Sequence, residues 1–99
     1  MKTSMSLSDF FFAIENDCRV TITHIGVYAA LLQFRLDKGW GIRKPIEAFS
    51  YEIMRLAKIS NANTYHKYIR ELNEFGYIKY EPSYKNKERS RIYFVKNLR

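Results

Sequence analysis

Residues 61–70 read Asn-Ala-Asn-Thr-Tyr-His-Lys-Tyr-Ile-Arg, a run in which polar side chains of six positions can meet a nucleic acid: Asn61, Asn63, Thr64, His66, Lys67 and Arg70. An Asn amide matches the two hydrogen-bonding atoms of an adenine edge. Arg and Lys read guanine or hold phosphate, and a Thr methyl meets the methyl of thymine. Farther along, Lys85, Lys87, Arg89 and Arg91 place four positive charges within seven positions, suited to a phosphate backbone or a minor groove. Each group also has a plainer use. Asn61 and Asn63, with Ser60, are good helix N-caps. Lys67, Arg70 and His66 serve equally as solvated surface groups, and a Lys-rich loop aids solubility.

The charge distribution favours a polyanionic partner. The 99-residue chain has a net charge of +7. Residues 1–59 hold eight Lys/Arg against six acids, whereas residues 60–99 hold nine against four. The excess sits with the candidate contacts, which points to nucleic acid before a membrane surface. With 46% hydrophobic and 16% aromatic residues, there is material for a folded core and no reason to expect a disordered tail. One domain, residues 1–99, is expected. A lone cysteine, Cys18, excludes an internal disulfide and fits a reducing cytoplasm. Cys18, His24 and His66 lack metal-ligand spacing, so no metal or other cofactor is expected. The N-terminal residues read as neither a signal peptide nor a membrane span.

These side chains need elements to position them. Residues 6–17 carry Leu7, Phe10, Phe11 and Ile14 at helical spacing, with Ser6 or Ser8 as cap. Residues 21–38 form the longest expected helix, capped by Thr21 or Thr23 and ended by Gly39. It is apolar on two sides: Ile25, Tyr28, Ala29, Leu32 and Leu36 on one, Val27, Leu31 and Phe34 on the other. Such a helix is packed from both directions. Trp40, between two glycines, reads as an anchor for the turn, and Cys18 as a small packing residue. Residues 43–49 offer at most one brief edge strand after Pro45. Ser50 caps a short helix with Ile53, Met54 and Ala57 inward. After a tight turn, a helix from about Asn61 to Phe75 shows Tyr65, Ile69 and Leu72 as its inner stripe, and Gly76 stops it. The period then alternates in residues 77–81 and 91–95, two strands joined by a basic loop, with Ile78 and Tyr80 on one face and Ile92 and Phe94 on one face.

The segment YEIMRLAKISNANTYHKYIRELNEFGYIKYEPS followed by RIYFV, with its Leu72, Gly76, Tyr77, Ile78 step from helix into hairpin, resembles a winged helix-turn-helix domain across residues 21–95. The resemblance implies an α+β fold, mainly α, with a helical N-terminal extension (6–17), a three-helix core holding the helix-turn-helix (50–75), and a two-stranded C-terminal wing (77–95). It further implies sequence-specific binding of double-stranded DNA. The second short helix enters the major groove and the wing lies on the backbone, as in a bacterial transcriptional regulator or a replication or mobile-element factor.

Other functions compete. The same fold also serves as a protein-interaction module, so DNA binding rests on the basic face and not on the fold. An enzyme is not expected: Gly26, Gly39, Gly41 and Gly76 make no phosphate loop, and no nucleophile–base pattern stands out. The Phe10-Phe11-Phe12 run has more apolar surface than one stripe needs. That allows either a homodimer through residues 6–17 and the long helix or cover for the long helix within one chain.

Overall fold

Ser6 opens the first helix: its hydroxyl accepts the Asp9 N–H at 3.1 Å while the Asp9 carboxylate accepts the Ser6 N–H, a capping box. In the computed structural model, which describes residues 6–41, 44–83 and 88–95, this helix, α1, spans Leu7–Ala13. It is shorter than the expected 6–17 because Ile14, Glu15 and Asn16 fold into turns, closed by Asp17 N–H to Ile14 O at 2.9 Å. Phe10 is fully buried, stacked on Tyr28 at 3.9 Å and edge-on to Tyr77 at 5.4 Å. Phe11, expected on the inner stripe, is 47% exposed, and Phe12 59%. So short a helix turns only one side to the core.

Helix α2 (Ile22–Lys38) ends at Gly39, whose φ of 71° is the left-handed cap that glycine adopts without a Cβ penalty. Its inner face buries His24, Val27, Tyr28, Leu31 and Phe34. Trp40 then folds back edge-on to Phe34 at 5.9 Å. The other side is less covered than two-sided packing requires. Leu32 is buried there, but Leu36 is 66% exposed and Ile22 79%. Cys18, read as a packing residue, is exposed in the turn before α2.

Strand β1 (Ile46–Ala48) leads into helix α3 (Ser50–Ala57). Phe49, not Ser50, takes the cap position; its N–H is accepted by Glu52 Oε1 at 2.9 Å, three residues on. Lys58 closes α3 in the left-handed region, φ 61°. Helix α4 (Ala62–Glu74) starts at Asn61 and buries Tyr65, Ile69 and Leu72, the expected stripe. Gly76, φ 92°, reverses the chain into β2 (Ile78–Glu81), which pairs with β3 (Ser90–Phe94).

The hairpin is part of a larger sheet. β3 is the middle strand of three, order β1-β3-β2, both pairs antiparallel, with Ile46 opposite Ile92 on one side and Ile92 opposite Tyr80 on the other. Ile46, Ile53, Ile69, Leu72, Ile78 and Ile92 thus share one core with Val27, Tyr28 and Leu31. Each such side chain contributes about 1.5–3 kcal/mol on burial. The chain is a small α+β protein, and no helix among the described residues is long and apolar enough to cross a membrane.

Candidate nucleic-acid interface

Three buried residues on one side of α4 leave its opposite side to solvent, and that side carries the polar run. Asn63, Thr64, Lys67 and Arg70 are exposed. Asn61 is exposed too, but its Oδ1 accepts the Thr64 N–H at 3.1 Å, so this side chain caps the helix. His66 is half-buried, its ring 5.3 Å from that of Tyr65, and the Lys67 ammonium lies 5.3 Å from the Tyr68 ring.

The helix and the hairpin meet along a groove of about 530 Å³, lined by His66, Arg70 and Asn73 of α4, by Tyr80, Ser83, Ser90 and the acid Glu88 of the hairpin, and by Phe49 and Ser50 at the start of α3. Asn73 Oδ1 accepts the Tyr80 N–H at 2.9 Å, which fixes β2 against the last turns of α4. His66 and Arg70 are thereby brought beside the hairpin. Asn63 and Thr64 sit one to two turns away, at the N-terminal end.

The basic residues of the hairpin are less free than their count suggests. Arg89 Nε lies 3.5 Å from Glu52 Oε1, with the guanidinium 4.5 Å from the Phe49 ring. Arg91 Nε lies 4.0 Å from Glu47 Oε2. Glu47, Glu81 and Glu88 line a second groove, about 560 Å³, together with both arginines. The net positive charge of 60–99 is therefore offset locally by Glu47 and Glu52, from residues 1–59, which a count along the chain does not see. Exposed pairs of this kind contribute at most about 1 kcal/mol. Lys85 and Lys87 lie outside the described residues.

Two polar clusters that sequence reasoning missed hold α4 in place. His24 is buried, its Nδ1 accepting the Thr21 N–H at 2.9 Å and its Nε2 2.7 Å from Glu71 Oε1. An accepting Nδ1 puts the ring proton on Nε2, which donates to Glu71. Glu71, half-buried, thus ties α4 to the start of α2. In the second cluster Asp17 receives Arg19 Nε at 2.8 Å and Nη2 at 2.7 Å, and the Arg19 guanidinium lies 4.2 Å from the Phe75 ring. The Tyr77 hydroxyl donates to the same carboxylate. Arg19 and then Tyr77 hold the Asp17 carboxyl well below the usual carboxylate range, while burial and then Asp17 push the Tyr77 hydroxyl up to about 12. The local signals were the spacing Thr21-x-x-His24, readable as a cap, and the opposite charges of Asp17 and Arg19 two residues apart; the long-range partners, Glu71 and Tyr77, left none. The partners are 47 and 60 residues distant.

No protein-family model, curated protein or solved structure matches the chain.

Proposed function

We propose that this chain binds double-stranded DNA as a winged helix-turn-helix protein. α3 and α4 act as the helix pair, the N-terminal half of α4 enters the major groove, and the β2–β3 hairpin acts as the wing. One observation carries the reading: Asn63, Thr64, Lys67 and Arg70 form an exposed polar face on α4 that runs into the groove shared with the hairpin. In this mode Asn63 and Thr64 meet base edges, and Lys67 and Arg70 hold phosphate or guanine. Lys85 and Lys87, with any share of Arg89 and Arg91 not held by Glu52 and Glu47, neutralise the backbone. A bacterial transcriptional regulator reading a specific site is the role that suits such a domain.

The test is fluorescence anisotropy of mixed-sequence duplex DNA titrated with protein at several salt concentrations. A log–log slope of roughly −4 to −7 corresponds to about five to eight phosphate contacts. A second reading, a winged-helix module that docks on another protein, is favoured by the three carboxylates around Arg89 and Arg91. Absence of DNA binding at low salt selects it.

A further inference from the structure

The basic side chains of this protein differ in what already holds them. Among the described residues, every arginine and lysine except Arg55, Lys58 and Arg70 lies against a carboxylate or an aromatic ring. At the hairpin, Arg89 has Glu52 and Arg91 has Glu47. Arg55 and Lys58 are exposed, with neither an acid nor a ring beside them among the described residues.

α3 fixes where these two cations stand. Ile53 is fully buried, and Met54 and Ala57 pack against the core, which turns Arg55 outward on the last turn. Lys58 follows as the left-handed residue that ends the helix, φ 61°. Glycine takes that conformation freely, whereas a side chain is strained in it. The lysine receives no contact within the described chain in return. Three residues on is Asn61, the cap of α4, a stretch that spans at most about 11 Å. Lys58 is therefore close to the end of α4 that carries Asn63 and Thr64. The hairpin groove, by contrast, meets α3 at its start, at Phe49 and Ser50, and Arg89 lies there too. The eight residues of α3 separate these two basic positions by about 12 Å, comparable with the width of the major groove, about 12 Å.

We infer that Arg55 and Lys58 hold the phosphate backbone on the flank of the major groove opposite the hairpin, and carry more of the phosphate contact than Arg89 and Arg91. The inference rests on the DNA-binding reading and says which charges serve it. A phosphate that arrives at Arg89 or Arg91 displaces a carboxylate and gains only the difference. One that arrives at Arg55 or Lys58 displaces water alone, and the counterions it sheds are the source of salt-dependent affinity. A cation at the end of α3 also complements the helix dipole, a structural use that the experiment separates from binding.

Anisotropy on mixed-sequence duplex at several salt concentrations compares the unaltered protein with two double variants. Arg55→Ala combined with Lys58→Gly is expected to reduce the salt slope by about 2, and affinity roughly thirtyfold near 0.15 M salt. Arg89→Ala combined with Arg91→Ala is expected to reduce the slope by less than about 1. Lys58→Arg keeps the slope, and Lys58→Gly alone does not lower the melting temperature, because glycine relieves the strain. An unchanged slope in the α3 variant overturns the inference, and so does a hairpin variant that loses as much slope or more. A lowered melt with an unchanged slope also overturns it, leaving both cations to the helix end. If the unaltered protein binds no DNA, the DNA-binding reading falls and takes the inference with it. If it binds and the α3 variant binds equally well, the inference falls alone.

Discussion

The hydroxyl of Tyr77, at the entrance to β2, donates to the carboxylate of Asp17, in the turn before α2, and Arg19 grips the same carboxylate through two nitrogens. The link closes the chain over 60 residues and clamps the α4–β2 reversal against the segment between α1 and α2. Because Asp17 is ionised more readily in the folded chain than in the unfolded one, its contribution is fully present above the ordinary carboxylate value of 3.8. It is lost as pH falls below that value. Asp17→Asn is expected to cost about 1 kcal/mol at neutral pH and to flatten the acid limb of the stability curve. Urea denaturation at neutral and acid pH checks both.

At the alkaline end the sign reverses. Burial raises Tyr28, Tyr65 and Tyr77 above the usual phenol value of 10.0, Tyr77 to about 12. An acid kept protonated by folding stabilises the chain below the unfolded value, and that contribution disappears as pH rises past it. Ultraviolet titration is expected to show these three of the eight tyrosines ionising only as the chain unfolds. Their ionisation in a chain still folded by circular dichroism would contradict the burial argument.

Glu71→Ala leaves the Nε2–H of His24 buried without its acceptor, at a cost of about 1–3 kcal/mol. Thermal melts are expected to show the loss. The variant tests whether α4 is anchored to α2 through this pair.

Lys67→Ala combined with Arg70→Ala, both exposed, is expected to keep the fold, weaken DNA binding for all sequences and reduce the salt slope by about 2. Asn63→Ala should instead relax preference at one base position, by about 1–3 kcal/mol. Anisotropy on paired cognate and altered duplexes separates the two.

Gly76→Ala is expected to destabilise by about 1–2 kcal/mol, since φ 92° is strained for any L side chain even though the new Cβ meets nothing within 4 Å. Gly26→Ala, within a helix and equally uncrowded, should stabilise the dilute chain by about 0.5–1 kcal/mol. Opposite signs for one chemical change, read by denaturant titration, isolate the backbone contribution.

Which features could be read from sequence follows from how far their causes reach along the chain. α4 was legible because Tyr65, Ile69 and Leu72, the Asn61 cap and the Gly76 reversal all act within a turn or two. The β2–β3 pair was legible from alternation. The addition of β1 to β3, Ile46 beside Ile92, depends on a pairing across 46 residues that no local pattern encodes. Phe11 and Leu36 were misplaced because a helical stripe states which residues share a side, not whether anything covers it. His24 was unremarkable until Glu71 stood beside it. The acids that meet Arg89 and Arg91 come from β1 and α3, and a running charge count cannot anticipate them.

Arg89 rests on Phe49 and beside Glu52 before any ligand arrives. The root of the hairpin is therefore oriented against α3 in advance, and little conformational freedom at that point is left to surrender on association. The same latch makes Glu52 a rival for the guanidinium. An incoming phosphate at Arg89 exchanges one anion for another and gains only the difference. In the proposed complex a phosphate at Arg89 would therefore add little net attraction, because it replaces Glu52 in a pair worth at most about 1 kcal/mol.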